Sequence, residues 1–457
     1  MKVGKKVVSI ILGTAMLASM LVGCGNSEKA NVKTVTIWSS TGSAKAFWND
    51  KVKQFNETIG KEKGIVIKFE AQTDEGYNQK IEVAMQSGDL PDIFDYANLK
   101  KAIEMDAIAP IDDLPGMEPL IEKYKDRFVE TKNTYKGSTY CLPNDVTTRG
   151  LIYNKEMFVE AGIVDENGEA KPPKTLAEFR ECAKKLTNKS KNQYGVVFPL
   201  KWVSWVESDI LGVAQTGTGY PVCYDPVEQK YDYSGLKPVV STYLDMKKDG
   251  SVFPGELSLD NDPARARFAE GGIGMKLSYS FDYGVFTSQF VPNFEWGVAP
   301  LPVVDENNVY KQNAVYTNGM QVSKKGIERH GKDVIGLVMS WWYSDENFID
   351  GYKQGVIMPP DWEMVKDIEI DDSLEQWKEF CSLQEISVAQ PLNHPTNMDG
   401  KKTLGQIILD DIWTNSASID GIDAYTKEKN AGITRYKELN PDIDYSIYDM
   451  PGWNAKR

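Results

Sequence analysis

The sequence predicts an α/β protein of two lobes, each a mostly parallel sheet flanked by helices, with a ligand cleft at a hinge crossed by several chain segments. Three observations carry that expectation. Short β-rich runs alternate with amphipathic helical stripes along most of the chain. At 457 residues the chain exceeds the roughly 250–300 residues at which a single hydrophobic core stops growing, so at least two cores are needed. No low-complexity linker divides the sequence, so the chain is expected to pass between its lobes more than once.

Val35-Thr36-Ile37-Trp38 is the first β-rich run; Ser39 to Ser43 form a polar turn, and Phe47, Val52, Phe55 and Ile59 then mark one face of a helix. Gly64 opens a second strand at Ile65 to Phe69. Tyr77, Ile81, Ala84 and Met85 give the next helical stripe, closed by Gly88, before a third strand at Asp92-Ile93-Phe94. This β-α-β-α-β order predicts parallel strands with right-handed crossovers, and sheets of that kind bind ligands at the carboxyl ends of their strands. Trp38-Ser39-Ser40 and Asp95 to Asn98 fall there.

A second unit starts near Gly150-Leu151-Ile152-Tyr153. Thr175 and Glu178 form a capping box ahead of a helix carrying Phe179, Cys182 and Leu186, and Tyr194 to Phe198 read as a strand. Helices are expected near 203–215, 236–248 and 263–270, and strands at Gly274 to Leu277 and Trp296 to Ala299. From about Lys332 the pattern is mostly helical, with Val334, Leu337, Val338, Trp341 and Trp342 apolar.

The first 23 residues stand apart. Lys2, Lys5 and Lys6 precede an apolar run from Val7 to Val22, the pattern of an export signal rather than of a membrane-spanning helix of about 20 residues. Leu21-Val22-Gly23-Cys24 resembles the bacterial lipobox, which implies lipidation of Cys24, and the polar stretch to Lys33 reads as a flexible tether. The remaining cysteines, Cys141, Cys182, Cys223 and Cys381, are widely spaced and are expected to be buried free thiols.

Fifty-two basic residues against 66 acidic ones give a formal net charge of −14, which argues against a nucleic-acid partner. Two histidines, His330 and His394, leave little material for His-based triads or multi-His metal sites. The phosphate-cradling GxxxxGK[ST] loop, HExxH and GxSxG are all absent. Neither a cofactor nor a metal is expected. Paired carboxylates, such as Asp371-Asp372 and Asp410-Asp411, are read as solvated surface, although counting them does not eliminate a glycosidase.

Several stretches, in order, resemble the extracellular solute-binding proteins of ABC importers, specifically the sugar-binding group that includes maltose-binding protein. They are Val35 to Ser39; Met85-Gln86-Ser87-Gly88-Asp89-Leu90-Pro91-Asp92, similar to a "GxxPD" segment; Pro143, then Leu151-Ile152-Tyr153-Asn154-Lys155-Glu156-Met157-Phe158 and Ala161-Gly162, similar to "YNKxxFxxAG"; Pro172 to Phe179; Phe268 to Met275, with Gly274 where alanine is common; and Gly297 to Pro302. The resemblance implies a two-lobed fold of the periplasmic-binding-protein type, with 34–146 and 316–385 in one lobe and 147–315 and 386–457 in the other. Crossings are expected near Val146 to Arg149 and Val303 to Tyr316. It further implies a non-enzymatic, monomeric receptor subunit, lipid-anchored through Cys24 at the outer face of the cell membrane, that closes over a saccharide and delivers it to a permease. A carbohydrate-active enzyme with a carboxylate pair, or a peptide or polyamine receptor on the same scaffold, is the alternative.

Saccharides present C–H faces and many hydroxyls, so flat aromatic rings and planar polar groups are the side chains to seek at strand ends. Ser39 and Ser40 follow the first strand. Tyr96 follows the third, where it either lines the cleft or packs. At the first crossing Asp145 either accepts ligand hydroxyls or pairs with Arg149, and Arg149 would favour an acidic sugar if it faced the cleft. Trp202 and Trp205 follow the 194–198 strand as stacking candidates. Tyr279, Phe281 and Asp282 follow the strand at 274–277, and Asn318 follows the second crossing.

Overall fold

In the computed structural model, residues 32–41, 44–72, 76–201 and 203–456 are described, with the backbone alone for 203–208. Strand Lys33–Ser39 pairs in parallel with Ile65–Ala71 on one side and Ile93–Asp95 on the other, as the β-α-β-α-β reading predicts. Met320–Ser323 then joins antiparallel beside Ile93–Asp95, and Ile108–Ala109 completes a five-stranded sheet. Helix Lys45–Glu57 lays Phe47, Trp48, Val52 and Phe55 on this sheet. Trp48 stacks on Trp342 of helix Lys332–Trp342, with centroids 3.6 Å apart and planes 8° from parallel, in a core that also holds Val35, Ile37, Ile67 and Val322. Helix Tyr77–Ser87 ends at Gly88, whose φ of +75° is the left-handed conformation that favours glycine.

The second sheet runs in the order Trp296–Ala299, Arg149–Asn154, Ile273–Tyr279, Tyr194–Val196. Arg149–Asn154 is antiparallel to both its neighbours, and Ile273–Tyr279 and Tyr194–Val196 are parallel. Side-chain alternation divides the strand between two cores: Leu151 and Tyr153 pack with Phe179, Phe198 and Tyr243, whereas Ile152 packs with Phe268, Phe286 and Phe380 on the opposite face. Thr175 caps helix Leu176–Leu186 by accepting the Glu178 amide, and the Glu178 carboxylate accepts the Thr175 amide in return.

Three short strands join the lobes: Val146–Thr147 pairs antiparallel with Gln312–Tyr316, which pairs in parallel with Ser387–Ala389. The first two lie within the segments, Val146 to Arg149 and Val303 to Tyr316, at which the sequence places crossings. A further passage lies between Ile357, in the first core, and Met358, in the core behind the second sheet. Helix Glu375–Ser382, placed by the sequence reading within a 316–385 part of the first lobe, packs instead on Trp296–Ala299. The reason is polar as well as apolar: Trp296–Ala299 is an edge strand, and Glu379 accepts its Val298 amide (2.8 Å) while Gln376 donates to its Trp296 carbonyl (2.9 Å). Close approach at the hinge requires Gly319, where an added Cβ would lie 1.8 Å from the Leu142 carbonyl oxygen. Cys141, Cys182, Cys223 and Cys381 are free and buried. Among the described residues no helix is long and apolar enough to cross a membrane. Cys24 and the export segment lie outside the described residues.

Candidate ligand-binding site

The first sheet ends in a polar knot rather than in free ligand-binding groups. Strand alternation places Ser39 on the same face as Val35 and Ile37, fully buried, and its hydroxyl donates to Asp95 Oδ2 at 2.7 Å. The Ser40 amide donates to the same carboxylate at 3.0 Å, while the Ser40 residue itself is exposed. Burial pushes the Asp95 carboxyl above its ordinary range, against the opposing effect of these donors. Tyr96 packs inward, its hydroxyl donating to Glu82 at 2.8 Å; Lys101 and Tyr96 together hold Glu82 below the usual carboxylate range. Asn318 donates to the carbonyls of Tyr96 (3.1 Å) and Ala97 (2.9 Å), and Gln321 to that of Tyr96 (2.8 Å). Ser39, Tyr96 and Asn318 thus shape and brace the strand-end loop, and Ser40 is the candidate among them that faces solvent.

The second sheet presents an aromatic surface. Tyr279 ends its strand, and Phe281, 49% exposed, stacks on it with centroids 5.1 Å apart and planes 8° from parallel. Arg149 lies over the Tyr279 ring at 4.8 Å, and Arg265 over Phe281 at 5.9 Å. Between the two aromatics, Ser280 donates its amide to Thr148 O (3.0 Å) and accepts the Thr148 amide (3.2 Å), fixing the strand end to the first crossing. Asp282 is 1% exposed and is consumed by its neighbours: Arg265 donates to Oδ1, Ser278 to Oδ2 at 2.7 Å, and Lys276 lies 3.6 Å away. Burial lowers Lys276 below the usual lysine range, with Asp282 opposing the shift. Asp282 therefore anchors the buried cations beneath the platform.

At the hinge, Asp145 Oδ1 accepts the amides of Val146 (2.8 Å) and Met358 (3.1 Å), and among the described residues Asp145 forms no ion pair, with Arg149 or any other cation. Burial raises its carboxyl to about 7, opposed by those two amides. It lines a cavity of about 470 Å³ whose wall includes Thr147, Ser280, Phe281, Gln354, Met358 and Trp377. The structure therefore brings Asp145 and Phe281 together at one cavity, with Tyr279 stacked behind Phe281. Arg149 instead borders a small recess with Asp209, Gly212 and Tyr279. Trp202 lies outside the described residues, and Trp205 is placed in helix Val203–Thr218 by its backbone alone. Sequence reasoning missed Thr147, Ser280 and Gln354. Thr147 stands two positions after Asp145 in a predicted crossing, a signal that was available; Gln354 enters through tertiary packing and has none.

Among the described residues no group of three or more His, Cys, Asp or Glu side chains could hold a metal ion. Residues 51–376 match the profile of the bacterial extracellular solute-binding proteins. The chain belongs to that family. Solute-binding proteins of known structure share its fold: the GacH receptor of Streptomyces glaucescens superimposes with a TM-score of 0.64 at 18% identity, covering 90% of this chain and 99% of its own, and RafE of Streptococcus pneumoniae with 0.65 at 14% identity, covering 90% and 100%. Among sequence relatives, the maltotriose-binding protein of Pyrococcus abyssi is 23% identical over 62% of this chain and 57% of its own. The sn-glycerol-3-phosphate-binding protein UgpB of Brucella melitensis is 24% identical over 76% of this chain and 83% of its own. Binding proteins of Brucella abortus match at 27% identity, and the alignment with this solute-binding protein spans 43% of their length.

Proposed function

We propose that this solute-binding protein captures an uncharged extracellular saccharide by closing its lobes and hands it to the permease of an ABC importer, without chemically altering it. The observation that carries the reading is the cavity beside the hinge. Phe281 offers a flat, half-exposed ring on the Tyr279 stack, and Thr147, Ser280, Thr287, Ser288, Gln289 and Gln354 supply hydroxyl and amide groups around it. That combination suits a ligand with C–H faces and many hydroxyls. The relatives' ligands divide between saccharides and a phosphate ester, and the cavity's chemistry favours the former: its lining, among the described residues, includes no Lys, Arg or His to neutralise a phosphate. Ser40, Tyr279, Phe281 and Asp145 are the residues we assign to the site, with Arg149 over the Tyr279 ring in the neighbouring recess.

We propose in addition that the protein is anchored to the membrane by lipid. The apolar run ending in Leu21-Val22-Gly23-Cys24 supports cleavage before Cys24, lipidation of its thiol and tethering at the outer face of the membrane. Lobes meeting at the strands Val146–Thr147, Gln312–Tyr316 and Ser387–Ala389 would close over the ligand, since a ligand favours the state with which it makes more contacts. Isothermal titration of raffinose, maltotriose and glycerol 3-phosphate into the protein, with chromatography of the ligand afterwards, tests this. A saccharide that binds and is recovered intact supports it. Cleavage of the saccharide, or binding of glycerol 3-phosphate alone, contradicts it.

A further inference from the structure

Asp145 sits where three passages between the lobes meet. It leads into Val146–Thr147, the first hinge strand. Its Oδ1 accepts the Val146 amide at 2.8 Å and the Met358 amide at 3.1 Å, at the point where the later chain leaves the first core. The Val146 amide also reaches the Met358 carbonyl at 3.2 Å. The backbone oxygen of Asp145 takes the third passage: Thr317, just beyond Gln312–Tyr316, donates to it through its amide (2.9 Å) and its hydroxyl (3.1 Å).

Both side-chain bonds end on one oxygen. Oδ2 receives no hydrogen bond from the described residues, and the residue belongs to the cavity wall with Thr147, Ser280 and Gln354. Asp145 is half-buried and its Oδ2 stays within reach of solvent, so a hydroxyl entering the cavity can take the place of water as its donor. We infer that Asp145 couples ligand capture to the hinge, its Oδ1 fastening the crossing segments while its Oδ2 receives a hydroxyl of the saccharide. This rests on the cavity being the saccharide site, and it makes Asp145 a residue that both contacts ligand and positions the hinge.

The inference has a pH signature. The groups around Asp145 carry no compensating charge: the Cys381 thiol faces it from helix Glu375–Ser382, Tyr283 shares the cavity wall, and Tyr316 on the neighbouring hinge strand is engaged by Arg127, itself paired with Asp361. With burial lifting the carboxyl to about 7, the acid is partly protonated at neutral pH. A ligand hydroxyl donates best to the ionised form, so binding should release protons near pH 7 and affinity should rise from pH 6 to pH 8.

The test is titration of raffinose and maltotriose into the wild-type protein and Asp145→Asn at pH 6, 7 and 8. Asparagine keeps an acceptor for the two amides but cannot ionise. The expected result is affinity rising about tenfold across that range in the wild type, the scale of one charge-assisted bond, and a flat profile in D145N. Should D145N fail to unfold cooperatively, titration of the wild type at pH 7 in two buffers of different ionisation enthalpy reads the proton release directly, and its absence overturns the inference. Parallel pH profiles in the two proteins overturn it while leaving the saccharide reading intact. If the wild type binds neither sugar, the reading and the inference fall together.

Discussion

Phe281 lies parallel to Tyr279 at a centroid distance of 5.1 Å, and about half of the Phe281 side chain (49%) remains in contact with solvent. A ring left half exposed beside Tyr279 and Arg265 contributes less to folding than a buried one and remains available to a ligand. Phe281→Ala should therefore leave the unfolding midpoint nearly unchanged while weakening saccharide binding about tenfold, or about 1.4 kcal/mol. Calorimetric titration beside a thermal melt checks both halves; a large loss of stability with affinity retained would mean that Phe281 is a packing residue.

Beneath this platform the burial of Asp282 beside Lys276 and Arg265 makes the opposite prediction. Asp282→Ala strands Lys276, 2% exposed, without its carboxylate, and removal of one partner of a buried ion pair costs about 3–5 kcal/mol. Denaturant unfolding should show that loss. A change under about 1 kcal/mol would indicate that the cluster is hydrated and carries little of the lobe's stability.

In the first lobe, Trp342→Ala removes one half of a fully buried stacked pair. Truncating a core aromatic costs about 3–5 kcal/mol, and the cavity left against Trp48 would allow the first lobe to unfold before the second. Two separated transitions in calorimetry are the expected outcome; a single transition at the wild-type midpoint would contradict it.

Glu379 supplies a pH test independent of ligand. Burial raises its carboxyl to about 7, opposed by the Val298 amide and Lys155. Between the usual glutamate value near 4.3 and about 7, the native state holds a proton that the unfolded chain has released, so this group's contribution to stability declines as pH rises through that window. Glu379→Gln keeps an acceptor for Val298 without the charge. Its melting temperature should gain on that of the wild type from pH 4.5 to pH 7 and hold the gain above; a constant difference across pH would show that Glu379 ionises freely in the folded protein.

Much of the fold was legible because local signals agreed. Val35 to Trp38, Ile65 to Phe69 and Ile93-Phe94 alternate with amphipathic helices, and their parallel pairing follows; Gly88 and the Thr175–Glu178 box end and begin helices as their chemistry dictates. The site was less legible because strand ends place side chains by parity and by tertiary contact. Ser39 shares a face with Ile37, so the alternation already available in the sequence turned it inward, whereas nothing local tells that Tyr96 would find Glu82 or that Asp282 would meet Arg265. The passage at Ile357–Met358 was invisible for the same reason: its partner, Asp145, lies more than two hundred residues earlier.

Thermal unfolding of the protein in the presence of raffinose, maltotriose and glycerol 3-phosphate separates a saccharide receptor from a receptor of phosphate esters. A ligand at about one hundred times its dissociation constant stabilises the native state by about 2.7 kcal/mol, enough to move the midpoint visibly. A saccharide receptor shows that movement with an uncharged saccharide and none with glycerol 3-phosphate. A shift with the phosphate ester and none with either sugar would contradict the saccharide reading.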